Sequence, residues 1–183
     1  MQVFKKIIMQ KIDKKIYYGD NLEIMKTMGD NSVDLIYLDP PFNSNFNYNA
    51  IYRDITGKPL KEQNIAFTDT WELDAEKQHL AGQLPILMRQ YGIDDLQADF
   101  WQAWIKALQK SPDRASRAML AYIIYMAVRL LEMKRLLKAT GSIYLHCDDA
   151  ASHYLKILMD TIFAKENFRN EIIWKRTSSK NNS

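Results

Sequence analysis

Four consecutive residues, Asp39-Pro40-Pro41-Phe42, put a carboxylate, two rigid backbone carbonyls and an aromatic ring within one short stretch. That set suits one task in particular, the alkylation of an exocyclic amino group on a planar ring. Such an amine is a weak nucleophile because its lone pair is delocalised into the ring. A carboxylate and a backbone carbonyl that accept hydrogen bonds from its two N–H groups favour a pyramidal nitrogen with the lone pair free to attack. Asp39 and the carbonyl of Pro40 would be those acceptors, and proline's fixed φ sets the direction of the carbonyl. Phe42 would stack on the ring. The same residues also compose an ordinary strand-terminating turn, so their setting has to decide between the two.

The setting is a buried strand. Val33, Leu35, Ile36, Tyr37 and Leu38 form the near-continuous apolar run expected of a strand covered on both faces. Pro40 and Pro41 have no N–H to donate, so the ladder must stop at Asp39. The carboxylate therefore falls at the carboxyl end of the strand, where open α/β sheets bind ligands. Upstream, Lys15-Ile16-Tyr17-Tyr18 reads as a short strand ending at Gly19-Asp20-Asn21. Asp20 or Asn21 would cap a helix running to Met28, and Gly29 to Ser32 would end it. Strand, helix and strand in about 25 residues form a βαβ unit with parallel strands.

Beyond Phe42 the signal weakens. Asn43, Asn45, Asn47 and Asn49 alternate with Phe46 and Tyr48, a loop composition that fits either a base-stacking surface or a polar loop pinned by its aromatics. Glu72 to Met88 reads as partly helical, interrupted near Gly82 and Pro85. Asp94 or Asp95 starts a helix through Leu108 that carries Trp101 and Trp104 as core or interface aromatics. Ser111-Pro112-Asp113 predicts the next helix start, with Ser111 as cap and Pro112 at the first helical position. Its C-terminal half holds Arg129, Lys134, Arg135 and Lys138, favourable for the helix dipole, and Thr140-Gly141 ends it. Ser142 to Leu145 predicts a second buried strand, Asp148 or Asp149 another helix start, and Glu171 to Trp174 a third strand. Alternating strands and helices make the chain α/β.

The chain has 183 residues, 47% hydrophobic and 26% charged, with a net charge of +3, as in an ordinary globular chain of one domain. Mild basicity is compatible with nucleic acid and weak evidence for it. One cysteine, Cys147, excludes an internal disulfide and fits a reducing compartment. No metal-ligand spacing, secretory leader or membrane-length apolar run is visible, so the expectation is a cytoplasmic protein with no membrane partner and no metal.

Four ordered blocks, Gly19 to Asn21 (GDN), Ser32 to Phe42 (SVDLIYLDPPF), Gly141 to Asp148 (GSIYLHCD) and Asn167 to Arg176 (NFRNEIIWKR), resemble the N-terminal part of amino-group DNA methyltransferases. The likeness is to the beta-ordered class that includes type III modification subunits and other site-specific adenine-N6 methylases of restriction-modification systems. The resemblance implies a partial Rossmann-like S-adenosylmethionine-dependent methyltransferase sheet over residues 1–183, with a helical insertion at about 72–139. It implies that Asp39, Pro40, Pro41 and Phe42 bind the target adenine amine of double-stranded DNA, flipped from the duplex. Asp20, with Asn21 beside it, matches the acid that holds the adenine amino group of S-adenosylmethionine. Lys175 and Arg176 match a strand end near DNA, though two exposed cations are more often only a solvated strand end. His146 lies at the end of the block that helps form the base pocket and fits either pocket shaping or a structural hydrogen bond.

The family's Phe-x-Gly-x-Gly cofactor motif is missing. Among Gly19, Gly29, Gly57, Gly82, Gly92 and Gly141, no two are separated by a single residue. The target-recognition region expected after Arg176 is missing as well. The expectation is therefore a truncated or split N-terminal portion, inactive alone, with a C-terminal half or partner chain supplying both parts. The competing readings are methylation of an RNA base or a protein side-chain amide, and a remnant that only binds DNA or a partner.

Overall fold

The computed structural model describes residues 14–40 and 71–174. The elements in order are α1 (Asn21–Lys26), β1 (Val33–Leu38), α2 (Ala75–Gln90), α3 (Asp95–Gln109), α4 (Arg114–Leu136), β2 (Leu137–Leu145) and α5 (Asp149–Phe163). A mixed arrangement of helices and a small parallel sheet results: β1 and β2 pair in parallel, and α2, α3 and α4 fill the chain between them. Among the described residues, no helix is long and apolar enough to cross a membrane.

The molecule is built around α4. Leu120, Ala121, Tyr122, Ile123, Ile124, Ala127 and Leu130 are fully buried. A helix that is apolar on nearly every side has to be surrounded, and α1, α2, α3 and α5 all pack on it. Its cap is Asp113, whose carboxylate accepts from the N–H groups of Ala115 and Ser116. Ser111, the cap expected from the sequence, instead accepts the N–H of Asp113 through its hydroxyl. Two amides within reach of one carboxylate make Asp113 the better terminus. At its other end α4 stops at Leu136, and the next residue already belongs to β2, earlier than the Thr140-Gly141 stop that the sequence suggested.

Pro85 does not break α2. The helix is continuous from Ala75 to Gln90, because Leu84, Pro85 and Met88 are all buried and their packing offsets the one missing backbone hydrogen bond. Asp94 caps α3, Asp20 caps α1 and Asp148 caps α5, each with its carboxylate on a backbone N–H two or three residues on. Trp101 is buried and donates its indole N–H to the Thr161 hydroxyl at 3.0 Å, tying α3 to α5.

β1 spans the residues its apolar run indicated, but it is not covered on both faces. Leu35 is 59% exposed and Tyr37 67%, alternating with half-buried Ile36 and Leu38. A strand with a single neighbour and helices on one side buries only alternate residues. The expected strands at Lys15 to Tyr18 and Glu171 to Trp174 do not form: both segments lie outside any ladder among the described residues, with Ile16, Tyr18, Ile172, Ile173 and Trp174 exposed. Strand character is realised only by pairing, and no strand of the described chain lies beside them to supply it.

The β1–β2 register slips near its start. Val33 faces Leu137 while Leu35 faces Ser142, so Lys138 to Gly141 bulge out opposite Asp34. Lys138 closes the bulge by binding both carboxylate oxygens of Asp34 at 2.9 and 2.8 Å. Beyond it the strands run in step from Leu35–Ser142 to Leu38–Leu145.

Candidate active site

The in-step ladder sets the position of Asp39. It follows the last residue of β1 and lies beside the end of β2, where the His146 N–H donates to the Leu38 carbonyl at 2.8 Å. That bond holds the two chains together one residue past the sheet and brings His146 Nδ1 to 3.4 Å from Asp39 Oδ1. Both side chains are more than half exposed, so Asp39 is open to solvent and has a second hydrogen-bonding side chain at its flank. Pro40, half-buried, carries the chain on. Pro41, Phe42, Lys175 and Arg176 lie outside the described residues.

Cys147, next to His146, is not poised as a nucleophile. Burial pushes its thiol up from its ordinary value, and the Asp148 and Glu171 carboxylates add to the effect.

Asp20 and Asn21 sit where α1 begins. Gly19 turns the chain into them with φ of +138°, a conformation that favours glycine. Two arginines of α4 then hold the short helix at both ends. Arg129 donates through Nη2 to Asp20 Oδ1 and Oδ2 at 2.8 and 2.9 Å, and through Nε to Asn21 Oδ1 at 2.9 Å. Arg135 donates to the carbonyls of Met25 and Met28, each at 2.9 Å, and pairs with Asp30 and with Glu132. Six residues separate the two arginines, about 9 Å along a helix axis, which matches the short length of α1. Glu132 is itself buried and fully engaged, because the Tyr91 hydroxyl donates to its other oxygen at 2.7 Å.

Arg129 is the residue of this candidate site that sequence reasoning missed. Its side chain is only 9% exposed and its guanidinium lies 3.4 Å over the Tyr125 ring, which in turn packs on Trp71 at 4.7 Å. The sequence treats it as one of several cations near a helix end. The available signal was the apolar company it keeps, Ala127-Val128-Arg129-Leu130-Leu131: an arginine inside such a run has to find a partner.

The described residues thus hold an open carboxylate, Asp39, past a parallel strand and a second carboxylate, Asp20, after a glycine turn and paired with Arg129. The chain belongs to the DNA methylase family, whose model of N6 and N4 methyltransferases matches residues 33–183. It is similar to the Mod subunit of the type III restriction-modification enzyme StyLTI of Salmonella typhimurium, 28% identical over 161 residues that make up 86% of this chain and 20% of that protein. It is similar also to the EcoP15I Mod subunit of Escherichia coli, 26% identical over 168 residues, 90% of this chain and 21% of that one. A shorter match joins it to the type II methyltransferase M.EcaI of Enterobacter cloacae, 40% identical over 63 residues, 34% of this chain and 14% of that one. The chain thus spans about a fifth of the length of the type III relatives. No solved structure matches it significantly.

Proposed function

We propose that this chain carries the target-amine half of an S-adenosylmethionine-dependent DNA adenine-N6 methyltransferase of a restriction-modification system. The observation that carries the reading is the open Asp39 carboxylate at the carboxyl end of β1, flanked by the end of β2. In this reading the two strands are part of a Rossmann-like sheet, and residues 72–139 are a helical insertion in the catalytic domain.

The chemistry assigned to the chain's own residues is local. Asp39 accepts one N–H of the flipped adenine amine and the Pro40 carbonyl accepts the other, which leaves the nitrogen lone pair free to attack. Phe42 stacks on the base, Pro41 stiffens the loop, and His146 flanks the carboxylate. Lys175 and Arg176 are assigned to the DNA phosphates. S-adenosylmethionine, when bound, supplies an electrophilic methyl group. The described residues fit its adenine end, through the Asp20 carboxylate and Asn21. The sequence has no Phe-x-Gly-x-Gly motif for the methionine end, so a C-terminal half or partner chain is assigned that part together with target recognition. Exposed Leu35, Tyr37 and Tyr144 on the sheet support such a partner, since apolar strand faces left open mark surfaces meant to be covered.

The test is a comparison of methyl acceptors, using radiolabelled S-adenosylmethionine and this chain assembled with the segment that bears the glycine loop. Label on adenine N6 of duplex DNA, with none on RNA or on glutamine-containing protein, is the expected outcome. Label on RNA or protein alone would overturn the substrate assignment.

A further inference from the structure

We propose that Arg129 is a positioning residue that fixes Asp20 and Asn21 as a side-by-side hydrogen-bond acceptor and donor for the adenine edge of the cofactor. The inference rests on the cofactor reading above and adds to it the residue that makes the pair selective.

The argument begins with what a guanidinium can offer, which is donors only. Because Arg129 Nε faces the Asn21 side chain at 2.9 Å, the atom facing it must be the amide oxygen. The orientation of Asn21 is therefore decided: its NH2 group is turned away from the arginine and is a donor on an exposed residue. Asp20 is constrained in the same way. Its Oδ1 accepts from the Leu22 N–H and from Arg129 Nη2, both at 2.8 Å, and its Oδ2 accepts from Arg129 Nη2 at 2.9 Å. The capacity that remains is concentrated on Oδ2, on a side chain 53% exposed.

An acceptor beside a donor is the complement of a ring edge bearing an exocyclic amine next to an unprotonated ring nitrogen. Adenine has that edge. Hypoxanthine presents the reverse, a carbonyl next to a ring N–H. The fork also stays where it is put: Arg129 Nη1 donates to the Tyr125 carbonyl at 3.2 Å, and the guanidinium lies on the Tyr125 ring. A lysine could answer the Asp20 charge from a single point but could not hold both side chains in this relation.

The experiment uses the complete methyltransferase, this chain together with the glycine-loop segment, titrated calorimetrically with S-adenosylhomocysteine and with its inosine counterpart. The wild type is expected to prefer the adenosine form by about tenfold or more, the scale set by leaving a built polar pair mismatched. Arg129→Lys should weaken the adenosine form and bring the two affinities towards equality. Asn21→Ala, which leaves Arg129 and Asp20 paired, should reduce the same preference and decides the matter if Arg129→Lys fails to fold. A wild-type preference retained in full by Asn21→Ala, or by folded Arg129→Lys, would overturn the proposal. A wild-type enzyme that binds neither ligand would contradict the cofactor reading itself, and the proposal with it.

Discussion

Arg129 and Asp20 hold each other in place, and the pairing changes what a mutation at Asp20 measures. The guanidinium is buried while the carboxylate is half in water, so removing the carboxylate leaves a largely desolvated charge with Asn21, the Tyr125 carbonyl and the Tyr125 ring but no counter-charge in Asp20's place. Asp20→Ala should therefore lower stability by about 1–3 kcal/mol, less than for a fully buried pair because water reaches the gap. Urea denaturation of the unliganded chain measures it, and an unchanged midpoint would show that the pair contributes nothing to the fold. Loss of cofactor affinity in that variant would then combine a missing ligand contact with a disturbed α1. At this scale the places of Asp39, past the end of β1, and of Asp20, at the cap of α1, were legible in the sequence, because each stands at a proline or glycine break. Arg129 was not, since its partners lie more than a hundred positions away.

At the scale of elements, α1 is a minor helix made definite by α4, and the joints between elements are where substitutions should be felt. Gly141 is one. A Cβ there would lie 2.7 Å from Leu137 Cδ1 and 3.0 Å from the Lys138 carbonyl, inside the bulge that re-registers β2 against β1. Gly141→Ala should cost about 1–3 kcal/mol in thermal or urea unfolding through overpacking, and a neutral result would mean that the bulge relaxes freely. The Tyr91–Glu132 contact between the end of α2 and α4 is another. Burial and the hydrogen bond to Glu132 push the Tyr91 phenol up to about 12 from 10.0. The fold favours the protonated phenol, so this contribution is complete below about pH 10 and is lost as the pH rises towards 12. Between pH 9 and 11.5 the urea midpoint of the wild type should fall further than that of Tyr91→Phe, and parallel curves would refute the coupling. Helices were legible as elements because apolar spacing and acidic caps are local signals. The outer strands were misread because Lys15 to Tyr18 and Glu171 to Trp174 have strand composition without a strand beside them. The cap at Asp113 was misread because serine before proline is the commoner pattern, and only geometry shows which oxygen reaches the amides.

At the scale of the whole molecule, the described residues form a helical core around α4 and a two-stranded sheet with apolar residues open on it. Among the described residues, twenty-five apolar side chains are buried in one cluster, whereas Leu35, Tyr37 and Tyr144 are open on the sheet. The sequence placed its parallel unit between Lys15 to Tyr18 and Val33 to Leu38, whereas the parallel pair that forms joins β1 to β2. What covers the exposed face was not legible, because a sheet's neighbours are set by segments far away in sequence. The central claim is that Asp39 holds the target amine in a site completed by the glycine-loop segment. It is tested most directly by methyl transfer to adenine N6 in duplex DNA, measured for the chain alone, for the assembled enzyme, and for the assembly carrying Asp39→Ala. The account predicts no transfer by the chain alone, transfer by the assembly, and a loss of at least about a hundredfold with Asp39→Ala, the scale of a removed acid–base or oriented hydrogen-bonding group. An Asp39→Ala assembly that methylates adenine at the wild-type rate would contradict it.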